Sequence, residues 1–412
     1  MSQNMKEAQH EEETQMGQKE IEKQQRKILF DHFKAGTLKR KMDTAYGEEE
    51  TAKPTEPAKS AKPAETVKPY DYQFDFKYLL GNYYKAYRGD DDYNKMEAGC
   101  AEIKELEGEN ISAPDPILLW YIYKKIDENK KKVNLFDCDS WNGSNDLMDE
   151  IYDRLWRNKM DESLRDKFGG DTMNSFATTF NAFSAEESYE DSFRAYKESK
   201  GNRKAVDNVL REYAKLTGCL GNFVLVPKGF NGYRGLAGTI RDYWDLSLHE
   251  LRCDRSGQGW LDQVDMPFNK YSNLFFLWDY VSGKKNGGYR VRPLFKSHEA
   301  ILIRKKMVLP RKADRKGASD DFSEFTQKAN RCILRRGAFM SAMLRISAED
   351  SDSYGEIVEY LATDASLGSM EDVIKQLKDR PLDEKAKDFL DDLLNELETI
   401  EQKSKENATC QP

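Results

Sequence analysis

A mainly α globular domain with a small β component, carried behind a disordered N-terminal extension, is the fold class that this 412-residue sequence predicts. Three observations lead there. Apolar residues recur at three-to-four-residue steps in several long stretches, the period of an amphipathic helix. Phe223-Val224-Leu225-Val226 is a short aromatic and branched run ended by Pro227, which cannot donate to a ladder, so it reads as a buried strand. Residues 1–69 are rich in Gln, Glu, Lys, Ala and Pro, with too little apolar surface to offset chain entropy.

Within residues 1–46, apolar Ile21, Ile28, Leu29, Phe30 and Phe33 allow one marginal helix near Glu20 to Phe33. Residues 47–69 repeat Ala, Lys, Glu and Thr around Pro54, Pro57, Pro63 and Pro69, a semi-extended linker. The extension reads as a tether carrying a docking helix or as a plain disordered tail, and its composition favours the tail. Order is expected from Tyr70, in a core domain over residues 70–346. Pro114 and Pro116 precede the apolar run Ile117 to Tyr123, a buried helix emerging into the lysines of 124–132. Asn145 or Asp146 caps a helix through Met148, Ile151, Tyr152, Leu155, Trp156, Met160, Leu164 and Phe168, ended by Gly169-Gly170. Asp171 then caps Thr172 to Phe183, and a helix over Ala205 to Leu216 leads to the strand. Gly229, Gly232, Gly235 and Gly238 recur every three residues, the mark of a specialised turn. From Thr239 a wide-faced helix carries Ile240, Tyr243, Trp244, Leu246, Leu248 and Leu251. Helices follow at Asn269 to Val281 and Phe322 to Ile346. Met370 to Leu377 and Lys385 to Gln402 form an acidic helical appendage over residues 347–412.

Hydrophobic residues at 38% suffice for a core, while 33% charged residues and a net charge of −8 give no whole-chain attraction to nucleic acid or anionic membrane. No apolar run approaches the ~20 residues of a membrane span. Met1 to Glu13 lacks the apolar centre of a signal peptide, so the cytosol is the expected compartment. The cysteines at 100, 138, 219, 253, 332 and 410 show no Cys-x-x-Cys spacing and read as reduced thiols.

Two stretches carry a resemblance. Gly170-Asp171-Thr172-Met173-Asn174-Ser175-Phe176 is one. Gly221-Asn222-Phe223, Pro227, Phe230-Asn231, Arg234-Gly235 and Asp242-Tyr243-Trp244-Asp245-Leu246 make the other. Together they resemble an uncharacterised family of bacterial proteins, a domain of unknown function, over roughly residues 74–346. The resemblance implies a bacterial source and brings no activity, cofactor or catalytic residue.

The polar residues of these motifs, Asp171, Asn174, Asn231, Arg234, Asp242 and Asp245, are the candidate site. Asp242 and Asp245 are three apart and share a helix face, where carboxylates can hold a divalent ion; Arg234 can clamp a carboxylate or phosphate. The structural reading has Asp171 capping a helix, Arg234 pairing with Asp242 or Asp245 beside a partly open cleft, and the asparagines satisfying turn backbone. The glycine spacing matches neither a phosphate loop nor the dinucleotide fingerprint. His249 and Cys253, four apart, offer at most half of a zinc site.

Charge is uneven. Residues 284–316 hold Lys284, Lys285, Arg290, Arg292, Arg304, Lys305, Lys306, Arg311 and Lys312, with three more basic residues, against only Glu299 and Asp314. Phosphate contact is one reading, with Trp278, Tyr289 and Phe295 as stacking partners and Arg331, Arg335, Arg336 and Arg345 extending the basic region. Neutralisation by the chain's own acidic C-terminal helices is the other. The leading expectation is a cytosolic bacterial binding or interaction protein with no demonstrable catalysis and no cofactor or metal, its partner left open by the sequence and a protein one option. A nucleic-acid-binding protein using residues 284–345 and a metal-dependent enzyme using Asp171, Asp242 and Asp245 are the alternatives.

Overall fold

The computed structural model describes residues 26–36, 69–74, 142–174, 212–213, 215–237, 243–283, 288–294, 318–363 and 368–409. The chain there is mainly helical, with two small two-stranded sheets. The helices expected at 117–123 and over most of 172–183 and 205–216 lie outside the described residues.

Helix α1, residues 26–34, lies where the sequence allows a marginal helix, and it docks on the core where composition favoured a plain tail. Phe30 and Phe33 are each 1% exposed and pack on Tyr70, their ring centroids both 6.0 Å from its ring. The Arg154 guanidinium covers the Phe30 ring at 4.0 Å, and the Tyr70 N–H donates to Phe33 O at 3.1 Å. Two rings alone cannot fold a helix, but a preformed aromatic and cationic bed on the core supplies what the isolated sequence lacks.

Helix α2 (Asn142–Leu155) buries Leu147, Met148, Ile151, Tyr152 and Leu155 as its period requires. It does not run on to Phe168. After Leu155 come a 3-10 turn (Arg157–Lys159), the short helix α3 (Glu162–Arg165) and strand β1 (Phe168–Thr172). Gly169, Gly170 and Asp171 therefore lie in a strand instead of at a helix end and a helix start. The reason is tertiary: a Cβ at Gly170 would stand 2.5 Å from the Tyr152 ring, so glycine lets β1 pass closely over α2.

Strand β2 (Phe223–Pro227) occupies the expected place, fully buried, and pairs antiparallel with β1 so that Asp171 faces Val224 and Phe168 faces Pro227. Gly229, at φ +86°, makes the turn. Gly232 and Gly235 do not prolong it, because Phe230–Ala237 is helix α4. Its glycines cost helix propensity, up to ~1 kcal/mol each, which is offset by Phe230 and Tyr233 packing on Trp260 at 5.3 Å. Helix α5 (Trp244–Cys253) is buried from Trp244 through Leu251 and stops at Asp254 in the left-handed region.

Helix α6 (Phe268–Leu274) is half the expected length, since Phe276 takes φ +59° and breaks it. A 3-10 turn (Trp278–Tyr280) then leads to β3 (Val281–Gly283), paired antiparallel with β4 (Tyr289–Val291). Helix α7 (Ala318–Glu349) extends the expected helix at both ends. Helix α8 (Ser351–Thr363), which periodicity did not suggest, starts where the Asp350 carboxylate accepts from the N–H groups of Asp352 and Ser353. Helix α9 (Met370–Lys378) opens on a capping box between Ser369 and Asp372, and α10 (Glu384–Thr409) follows. Val373, Leu377, Leu390, Leu393 and Leu397 of these last helices join the same core as Phe339 and Met343 of α7. The boundary expected at residue 346 falls inside α7.

Candidate functional site

The β1–β2 pairing and α4 bring Asp171 and Arg234 together. Their side chains are 2% and 1% exposed, with Arg234 Nη2 3.0 Å from Asp171 Oδ2. Nη2 also donates to Thr172 O at 3.0 Å, and Nη1 reaches Ser247 Oγ of α5 at 3.2 Å. Asp171 is thus a partner of Arg234 that the sequence did not suggest, and the pair is sealed in the core instead of bordering an open cleft. Asn174 and Asn222 form a second lattice. The Asn174 backbone N–H donates to Asn222 Oδ1 at 3.0 Å, Asn222 Nδ2 donates to Asn174 O at 2.9 Å and Thr217 O at 2.8 Å, and Trp244 Nε1 donates to Asn222 Oδ1 at 3.0 Å. The Trp244 N–H donates to Asn174 Oδ1 at 3.1 Å.

Asp245, fully buried, accepts from the N–H of Leu294 at 2.8 Å and of Leu246 at 3.0 Å, pinning the chain after β4 onto α5. Asn231 is exposed on α4, and Asp242 lies outside the described residues. The motif residues therefore fasten β1, β2, α4 and α5 to one another. Among the described residues no group of three metal-ligating side chains occurs. His249 Nδ1 comes within 3.9 Å of Cys253 Sγ, while its Nε2 faces Arg255. Burial, with Arg255 and Arg252 beside it, pushes the His249 imidazole down to about 4, so it stays neutral through the physiological range.

Of the basic residues, Arg290 and Arg292 are exposed on and after β4. Lys284, Lys285, Arg304, Lys305, Lys306, Arg311 and Lys312 fall outside the described residues. Trp278 and Tyr289 are no stacking platform: both are buried and donate to Asn273 Oδ1, at 3.0 and 2.7 Å. On α7, Arg331 donates to Glu401 at 2.6 Å, Arg335 bridges Asp279 and Glu371 at 2.7 Å each, and Arg345 lies 3.8 Å from Asp392. These three arginines hold the acidic C-terminal helices on the core.

A site that sequence reasoning missed lies between α7 and α10. A groove of ≈ 210 Å³ is lined by Tyr72, Glu212, Asn330, Leu334, Glu396, Ile400 and Lys403, among others. The Tyr72 hydroxyl donates to Glu396. The Glu212 carboxylate is partly buried and has no hydrogen bond or ion pair within the described residues. Burial pushes its pKa up, against the pull of Lys215 and Lys403. No signal in the sequence marks Glu212, because residues far apart along the chain build the groove.

Compared with protein-family models, with curated proteins and with solved structures, the chain matches none. Among the described residues no helix is long and apolar enough to cross a membrane.

Proposed function

We propose that this is a cytosolic protein-binding module whose groove between α7 and α10 receives one Lys or Arg side chain of a partner polypeptide. The observation that carries the reading is Glu212, a partly buried carboxylate with no donor of its own among the described residues, in a groove with further acids at Glu396 and Glu406. A carboxylate held at a raised pKa gains most from a cation brought beside it. At ≈ 210 Å³ the groove is smaller than the ~300–1,000 Å³ of small-molecule sites and suits a single long side chain. Leu334, Ile400 and the Tyr72 ring give its aliphatic stem an apolar wall. Phosphate fits this groove poorly, since the carboxyl groups of Glu212, Glu396 and Glu406 line it. The free thiols of Cys219, Cys253 and Cys332 suit a reducing compartment.

Panning random displayed peptides on the whole chain tests the proposal. Arg or Lys should be enriched at one fixed position among the binders, and Glu212→Lys should abolish their binding while leaving the melting temperature close to that of the wild type. Binders without a basic residue, or binding that survives Glu212→Lys, would contradict it.

A further inference from the structure

Three arginines are fully or almost fully buried among the described residues, Arg234, Arg335 and Arg336. Arg234 faces Asp171 at 3.0 Å and Arg335 faces Asp279 at 2.7 Å. Arg336, at 0% exposure, has no carboxylate within ion-pairing distance among the described residues. Its partners are three backbone carbonyls: Nε donates to Phe275 O at 3.0 Å, and Nη1 donates to Gly221 O at 2.9 Å and Phe223 O at 2.6 Å. Among the described residues Nη2 has no acceptor, and neither has the hydroxyl of Tyr280. Both side chains lie against one indole. The Tyr280 ring stacks on Trp244 at 4.5 Å, and the Arg336 guanidinium stands 5.2 Å from the Trp244 ring.

Carbonyl dipoles satisfy hydrogens but do not cancel a charge. An unneutralised buried ion costs several kcal/mol, and the two other buried arginines show how this fold ordinarily meets that cost. Burial lowers the Arg336 pKa only to about 10, so the guanidinium remains charged at neutral pH. The two groups left over are both donors, and the charge left over is positive, so the complement is an acceptor that carries one negative charge. We infer that Arg336 Nη2 and the Tyr280 hydroxyl form a buried site for a small monovalent anion of halide size, acting as a structural counter-ion in the core beside Trp244. A water molecule would supply the acceptor without the charge.

The test is thermal melting of the full chain as sodium bromide or chloride replaces sodium gluconate at constant ionic strength, together with bromide anomalous scattering from crystals grown in bromide. A saturable rise in melting temperature with halide is expected, and a bromide peak within hydrogen-bonding distance of Arg336 Nη2. Tyr280→Phe keeps the ring stack and removes one donor, so it should raise the half-saturating halide concentration by about tenfold, the equivalent of one hydrogen bond. Arg336→Leu should abolish the halide dependence; if that variant does not fold, Tyr280→Phe decides alone. Melting that ignores halide in the wild type, an unchanged half-saturation in Tyr280→Phe, or density at Nη2 with no bromide signal would overturn the inference.

Discussion

Arg234 and Gly221 show what single residues do in this core. Arg234→Met takes the guanidinium away from the buried Asp171 carboxylate, and should cost about 3–5 kcal/mol in urea unfolding, the usual penalty for breaking a buried pair. Adding Asp171→Asn should recover part of that loss, because the stranded charge is then gone; no recovery would show that the pair is not the source of the penalty. Gly221 is a matter of space. A Cβ there would stand 1.9 Å from the Ile333 carbonyl of α7, and backbone cannot retreat as a flexible side chain can, so Gly221→Ala should give little or no folded protein on circular dichroism. The importance of the motif residues was legible in the sequence, since polar residues beside glycines mark close backbone packing. Their partners were not legible. Asp171 reaches Arg234 only because β1 lies beside β2, and the sequence around Gly169-Gly170 states a helix end more plainly than a strand.

Elements depart from sequence reasoning wherever a neighbour overrides local preference. The fully buried strand β2 and helices α7, α9 and α10 were readable because their own periodicity or apolar content decides them. Helix α1 was readable only as a marginal helix, because its two phenylalanines stabilise it against Tyr70 and Arg154, partners its own sequence does not show. A chain starting at Tyr70 should therefore be less stable than the full chain, contrary to what composition suggests. Phe30→Ala should cost ~2–3 kcal/mol in urea unfolding, less than the ~3–5 of a central Phe→Ala, because a terminal helix can undock instead of leaving a cavity. Equal urea midpoints for the full and truncated chains would show that α1 contributes nothing. On α5, His249 ties stability to acid. Its imidazole is pushed down from 6.5 to about 4, so the neutral form's contribution is complete above the unfolded value of 6.5 and is lost as pH falls toward 4. His249→Gln should flatten the stability profile across that window; an unchanged slope would place the acid lability elsewhere.

Across the whole molecule, the charge asymmetry visible in the sequence resolves into a fastening and a groove. Arg331, Arg335 and Arg345 draw α9 and α10 onto α7, and that docking creates the space in which Glu212 stands. The sign of the asymmetry was legible, whereas the groove depends on how α7, α10 and residues 69–74 converge. Glu212 also marks its own cost. Its raised carboxyl withdraws stability as pH rises through the folded pKa, so Glu212→Gln should melt higher than wild type at neutral pH and equally below the ordinary glutamate range. The most direct measurement is carbon-13 NMR titration of the Glu212 carboxyl, free and saturated with an arginine-bearing peptide recovered by panning. The free carboxyl should titrate above the ordinary glutamate range, and the bound one should fall back below its free midpoint, because a guanidinium beside it favours the ionised form. A midpoint that stays unchanged or climbs on binding would mean that no cation sits against Glu212, and the proposed role of the groove would be wrong.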